Sequence, residues 1–166
     1  MKKRISVLML VVMLISIFTG CGMLESGTTE GAIGKVYKTQ WFDFEIKDFE
    51  VTYEYNQIDA YEGYKYVVFT IWEKNTYAEP LDMTPLDYKL EGSELQNNDA
   101  IPYLPAQLGY PENCMPHPLV LEPKEEAEYD VIFEIPEDIM NFAIYYQEVD
   151  IDENIGALFS FPIDLH

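Results

Sequence analysis

Two short groups of side chains in this sequence have the types and spacing of metal ligands. In the first, Cys114, Met115 and His117 bring a thiol, a thioether and an imidazole together, a combination that suits copper outside the cell. Pro116 restricts the backbone between them, and the only other histidine is His166 at the end of the chain. A packed thiol beside a loop histidine is the alternative interpretation.

The second group lies in an acidic turn. Asp150, Asp152 and Asn154 place three oxygen ligands at alternate positions, as a calcium-binding loop does at its start. The rest of the calcium pattern is missing, because Ile155 stands where glycine is needed and Phe161 where a bidentate glutamate closes the site. A weak calcium site and a solvated turn remain alternatives, and the sequence assigns no metal ligand in either group.

Catalytic motifs are absent from the sequence. It contains no glycine-rich phosphate loop, no G-x-S-x-G and no H-E-x-x-H pattern, and two histidines offer little choice of a general base. Among 30 acidic residues some pair of carboxylates could always be matched to glycoside hydrolysis, so such a pair carries no weight. We therefore expect no enzyme activity, no catalytic residue and no cofactor.

One cysteine has an assignable chemical role. Residues 1–20 show a basic start, an apolar run that is too short to span a bilayer, and small residues before Cys21, as expected of an export signal. The stretch Phe18-Thr19-Gly20-Cys21 resembles the bacterial lipobox, so we predict cleavage before Cys21, lipidation of its thiol, and a protein held on the extracytoplasmic face of the cell membrane. Ordinary secretion is the alternative.

Composition restricts the partners. Removal of the leader leaves 146 residues, which suit one domain, and changes the net charge from −20 to about −23. That charge disfavours nucleic acid and anionic lipid surfaces, and it suits a cationic partner or metal cations. Since Cys114 is the only cysteine left after lipidation, no disulfide can form within the chain.

The pattern of apolar residues predicts strands along most of the domain. Alternation begins at Phe42 and slips by one residue at Lys47-Asp48, which indicates a bulge or a tight bend. The run Tyr64 to Trp72 is apolar at nearly every position, as in a strand buried on both faces. Ala127 to Ile135 alternates as an antiparallel strand with one wet face. One or two short strands, interrupted by Pro85, are expected in Leu81 to Leu90. Two more are expected in Phe142 to Tyr146 and in Ala157 to Ile163.

About seven short strands separated by turn signals predict an all-β, antiparallel sandwich of the immunoglobulin-like type over residues 34–166. Residues 21–33 carry the lipidated cysteine, and the stretch from Gly22 to Gly34 contains four glycines without apolar periodicity, which predicts a flexible tether. The segment Gln96 to Pro118, rich in proline and poor in charge, is the first place to look for a binding surface; a connection packed over the sandwich is the alternative.

The middle of the chain resembles a known family. The stretch Tyr61 to Ile71, then Asn75, and then the Leu-Asp-Tyr-Lys-Leu strand at 86–90 are similar to the telokin-like, immunoglobulin-fold domain of extracellular bacterial lipoproteins, a domain of unknown function. The later stretches Leu119 to Pro123 and Val131 to Pro136 extend the resemblance, although Lys124 stands where the family usually has glycine. The resemblance implies a fold and an export route, and no site residues.

These observations together favour a membrane-anchored, non-catalytic binding or interaction module with a protein or envelope partner. A lipoprotein that binds a metal ion, copper or calcium, or a small solute is the alternative.

Overall fold

Two four-stranded sheets form the body of the protein in a computed structural model that describes residues 27–92, 100–149 and 155–165. The first sheet has the order β1-β12-β11-β8 and the second the order β10-β6-β3-β2. Two small hairpins, β4-β5 and β7-β9, lie outside them. The strands are β1 (Thr28–Glu30), β2 (Val36–Lys38), β3 (Phe42–Thr52), β4 (Glu54–Tyr55), β5 (Ile58–Asp59), β6 (Tyr64–Asn75), β7 (Leu81–Met83), β8 (Tyr88–Glu91), β9 (Leu119–Leu121), β10 (Glu126–Pro136), β11 (Asn141–Val149) and β12 (Ile155–Asp164).

The strand order is that of an immunoglobulin-like sandwich. Strands β3, β6 and β10 lie side by side in one sheet and β8, β11 and β12 in the other, as strands A, B, E and C, F, G do in that fold. These neighbours all pair antiparallel, whereas β1 runs parallel to β12. The all-β sandwich predicted from the sequence is confirmed, with twelve strands in the described residues where about seven were expected.

Aromatic rings fill the space between the sheets. Phe44 of β3 lies with its ring centroid 5.2 Å from that of Phe159, 5.5 Å from Tyr146 and 5.9 Å from Phe161, all on the opposite sheet. Such tilted and edge-to-face pairs add to the stabilisation of roughly 1.5–3 kcal/mol that burial of a Phe side chain provides. The core therefore holds the sheets together without a disulfide.

The slip predicted in β3 is present as a bulge. Ile46 pairs with Ile71 and Asp48 with Thr70, so Lys47 is the extra residue. Beyond it Phe49 still packs on the core, but Val51 and Tyr53 are exposed, Tyr53 by 60%. Val51 and Tyr53 therefore lie outside the core, although they continue the apolar alternation that follows the slip.

Both faces of β6 are buried, as its apolar run predicts, and the second face has its own cover. Residues 100–118 and the β4-β5 hairpin pack over the outer face of β6 and β10, around Tyr66, Val68 and Ile132. The wet face expected for β10 is therefore dry at Ile132, which has no exposed surface. The connection packs over the outer face of the sheet and uses buried Leu108 to do so.

The predicted tether extends too far along the chain. Thr28–Glu30 is a strand, and the Gly31 N–H donates to the Ser160 carbonyl at 2.7 Å. Gly31 is required there for space, since a Cβ on it would lie 2.2 Å from the ring of Phe161. The folded domain thus begins by Thr28, before the predicted boundary at residue 34, because β12 offers an edge for pairing.

The leader at 1–20 and Cys21 lie outside the described residues. Within the described ranges, no helix has the length and apolar character that a bilayer crossing needs.

Candidate functional site

A solvent-open cleft of about 420 Å³ lies at one end of the sandwich, where β3 begins and β11 ends. We call it the end cleft. Its size falls within the roughly 300–1,000 Å³ of small-molecule pockets. The lining side chains are aromatic, apolar or acidic with one amide: Trp41, Phe42, Tyr77, Glu79, Pro80, Leu81, Asp82, Met83, Asp87, Tyr146, Gln147 and Val149.

Two aromatic side chains form one wall of the end cleft. The rings of Trp41 and Tyr77 meet edge to face at 4.8 Å, with an interplanar angle of 85°. The hydroxyl of Thr39 accepts hydrogen bonds from the backbone N–H groups of Trp41 and Phe42, and the backbone N–H of Thr76 donates to the Trp41 carbonyl at 3.1 Å. The two loops that carry the rings are therefore fixed to each other by the backbone.

Asn75 holds the loop that carries Tyr77. Its side-chain amide is fully buried and donates to the carbonyls of Glu79 at 2.9 Å and Leu121 at 2.8 Å, while its Oδ1 accepts from the Tyr77 N–H at 2.7 Å. Because all of these bonds go to backbone atoms, the amide fixes the path of the loop. Asn75 is thus a positioning residue for the wall of the cleft.

Three carboxylates, from Glu79, Asp82 and Asp87, line the end cleft, and its described lining contains no lysine or arginine. Asp87 is half-buried at the end of a 3₁₀ helix, where its Oδ2 accepts a hydrogen bond from the Thr84 N–H at 3.0 Å. Burial raises the pKa of Asp87, and this hydrogen bond and nearby His117 oppose the rise. The cleft is therefore a site of negative potential.

A buried acid lies behind the inner wall of the end cleft. Glu73 of β6 has no exposed surface, and the hydroxyl of Tyr88 donates a short hydrogen bond to its Oε1. Burial raises the pKa of Glu73 to about 7, the hydroxyls of Tyr129 and Tyr88 oppose the rise, and the charge of Asp87 adds to it. Burial raises the pKa of nearby Tyr146, and the charges of Asp87, Glu148 and Glu73 add to the rise.

Glu73 is incompletely satisfied in the described residues. Its Oε2 and the Tyr129 hydroxyl are buried and lack a hydrogen bond of acceptable geometry. An ionised carboxylate in this position would be costly, so the environment favours the protonated acid. Glu73 was not identified in the sequence analysis. Its position was informative, because Glu73 lies on the same inward-facing side of β6 as Val67, Phe69 and Ile71.

The fold separates the three residues whose types could suit copper. Cys114 is buried beneath the outer cover of the second sheet, whereas Met115 belongs to the main core. His117 lies at the surface, where its Nδ1 is 2.9 Å from the Thr84 hydroxyl. Burial raises the pKa of Cys114 to about 11, which disfavours the thiolate that binds metals. In the part of the chain that the structure describes, no three histidine, cysteine or acidic residues could hold a metal ion.

Two other predicted sites, Cys21 and the group of Asp150, Asp152 and Asn154, lie outside the described residues. His117 lies beside the end cleft, because its Nδ1 is 2.9 Å from the hydroxyl of Thr84 and the Thr84 N–H donates to Asp87.

A second concave surface on the outer face of β6 and β10 is less available for binding. Two of its four acidic groups already have side-chain partners: Asp130 accepts from the hydroxyls of Tyr55 and Thr70, and Glu128 pairs with Lys47 at 2.7 Å. The end cleft is therefore the stronger candidate.

Solved structures of bacterial proteins have the same kind of fold. An uncharacterised β-sandwich protein from Clostridium difficile matches with a TM-score of 0.56 and 14% identity, over 84% of this chain and 97% of its own. The yjhA protein from Bacillus subtilis matches with a TM-score of 0.56 and 11% identity, over 78% of this chain and 98% of its own. A candidate lipoprotein, ycdA, also from Bacillus subtilis, matches with a TM-score of 0.56 and 15% identity over 78% of this chain.

This chain spans 38% of the length of the ycdA protein. No protein-family model and no curated protein matches the sequence. At these identities the likeness shows the β-sandwich fold.

Proposed function

We propose that the protein is a lipid-anchored, extracytoplasmic lipoprotein that works as a non-catalytic binding module and takes its ligand in the end cleft. The telokin-like resemblance and the fold shared with a candidate lipoprotein support the export route. The lipobox at Cys21 supplies the anchor.

The observation that carries the binding role is the composition of the end cleft. Aromatic rings, apolar side chains and carboxylates meet in one open space of ligand size. The described lining has no serine, cysteine, histidine or lysine, so its ionisable groups are carboxylates and tyrosine hydroxyls. A small solute, or a small group presented by an envelope partner, fits this space better than a large protein surface does.

Metabolic labelling tests the anchor. Palmitate should label the full-length wild type in cells and fail to label Cys21→Ser. Equal labelling of both proteins would refute the anchor and would leave the cleft to be judged separately.

Site-specific photocrosslinking tests the cleft. A crosslinking amino acid in place of Tyr77, in the full-length protein on intact cells, should give adducts that intact-mass spectrometry detects at any size. The control position is Tyr53, an exposed tyrosine that does not line the cleft. Adducts that are the same from both positions, or absent from Tyr77, would count against the cleft as the binding site.

A further inference from the structure

We infer that the end cleft binds an alkylammonium group, a positively charged nitrogen bearing apolar carbons. The inference rests on the proposed function and names the chemical class of its ligand. Its three supports are the charge of the cleft, its aromatic wall, and the absence of metal-binding geometry in the described residues.

The carboxylates of the end cleft favour a positively charged ligand. Glu79 and Asp82 have no ion-pair partner among the described residues, where the two ion pairs are Lys47 with Glu128 and Lys74 with Glu126. Deeper in the cleft, Asp87 uses Oδ2 for the Thr84 N–H, and its Oδ1 receives no hydrogen bond from the described part of the chain. An incoming cation therefore meets carboxylate oxygens without displacing a protein cation. The net charge of −20 favours its approach.

The aromatic wall selects an organic cation. A cation within about 6 Å of the face of Trp or Tyr is attracted by the ring quadrupole, and Trp is the strongest partner. The rings of Trp41 and Tyr77 line the cleft, and the exposed side chains of Pro80 and Val149 provide apolar contact for carbon substituents on the nitrogen. Such walls match an alkylated nitrogen better than a hydrated ion.

Inorganic cations fit the cleft poorly. Calcium needs six to eight oxygen ligands at about 2.3–2.6 Å. The carboxylates here are not clustered, since no described group of three acids, histidines or cysteines could hold a metal ion. Dispersed charge around apolar walls suits a large, diffuse cation.

The probes are choline and its neutral isostere 3,3-dimethylbutan-1-ol, added to the full-length protein in a non-ionic detergent. Of the two tryptophans in the chain, only Trp41 lines the cleft, so tryptophan fluorescence in a Trp72→Phe background reports on the cleft alone. We expect a saturable change with choline, and at least tenfold weaker binding of the neutral isostere.

Matched variants separate charge from folding. Asp87→Asn retains an oxygen for the Thr84 N–H and should weaken choline at least fivefold, with binding of the isostere unchanged. Asp59→Asn removes the same charge from an exposed residue in β5, outside the cleft, and should have no effect. Tyr77→Phe should leave the affinity for choline within about twofold, whereas Tyr77→Ala should lower it at least threefold. Unfolding temperatures confirm that each variant is folded.

Two results would overturn the inference. Equal affinity for choline and its isostere would show an apolar cleft in which charge plays no part, and no saturable signal with choline up to about 50 mM would show that no such site exists. Neither result bears on the Tyr77 photocrosslinks, which test the proposed function by themselves.

Two further experiments identify the source of the alkylammonium group once choline binds. Butylammonium imitates a primary amine such as a lysine side chain, and stronger binding than choline would point to a peptide. Phosphatidylcholine vesicles that compete with choline for the cleft, where phosphatidylglycerol vesicles do not, would point to a lipid headgroup. If neither holds, the ligand is a free quaternary solute.

Discussion

Replacement of Glu73 by glutamine should change how the stability of the protein depends on pH. The folded state holds the proton of Glu73 up to a pKa of about 7, whereas the unfolded chain releases it near 4.5. The folded state therefore binds more protons than the unfolded state between these values, and stability falls as pH rises through that window. Below pH 4.5 both states are protonated, so the group then contributes no difference.

The size of the effect follows from the two pKa values. Each pH unit between 4.5 and about 7 corresponds to about 1.4 kcal/mol, so ionisation of Glu73 costs about 3 kcal/mol of unfolding free energy above pH 7. Glutamine keeps the shape and cannot ionise. Glu73→Gln should therefore match the wild type near pH 4 and exceed it by up to about 3 kcal/mol at pH 8.

Urea denaturation at pH 4, 5, 6, 7 and 8, followed by tryptophan fluorescence, measures the difference. Burial also raises the pKa of Asp87, so both proteins should lose some stability as pH rises because of that group. The difference in unfolding free energy between the two proteins at each pH is therefore the quantity to compare. Glu62→Gln, at an exposed position, should give a curve parallel to the wild type. Identical slopes for wild type and Glu73→Gln between pH 4.5 and 7 would refute the reasoning.

Three further predictions concern packing. Gly31→Ala would place a methyl group against the ring of Phe161 and should lower the free energy of unfolding by about 1–3 kcal/mol in denaturation experiments. Gly27→Ala is the control, since a Cβ there meets nothing within 4 Å, and it should leave the unfolding temperature unchanged. Equal effects of the two changes would argue against the docking of β1. Asn75→Ala leaves two carbonyls and an N–H without partners, so it should cost at least about 2 kcal/mol and weaken any ligand of the end cleft, and full stability would contradict its positioning role. The buried Cys114 thiol, with a pKa of about 11, should react slowly with a thiol reagent at pH 8 and at least about a hundredfold faster in urea, and rapid reaction in the native state would show that the cover over the second sheet is open.

Patterns within one strand were readable from the sequence. Period-two alternation located β3 and its bulge at Lys47, and continuous apolarity placed β6 at the centre of its sheet. These features depend on neighbours in sequence, since side chains on a strand alternate between its two faces. Cys114 and Met115 lie outside the strands and belong to different cores, a separation that their closeness in sequence conceals.

The end cleft could not be predicted in this way. Its walls come from the start of β3, the loop after β6, the 3₁₀ helix before β8 and the end of β11, which lie far apart along the chain. The strand β1 was missed for a related reason. Three polar residues beside glycines have no strand pattern of their own, and only the free edge of β12 gives them one.

The position of β1 decides which end of the domain would lie nearer to a lipid on Cys21. Thr28 pairs with Leu158, next to the end of β11 that borders the cleft, so the chain enters the fold at the end that carries the cleft. The path from Cys21 to Thr28 can reach at most about 25 Å. If Cys21 is lipidated as we propose, the end of the domain that carries the cleft would thus lie within this distance of the headgroups, across a water layer. An acidic domain above an anionic leaflet encloses that layer between two negative surfaces, whose potentials persist over about 8–10 Å at ordinary salt. Small cations would accumulate there, so that the anchor itself would enrich the class of solute that the cleft accepts.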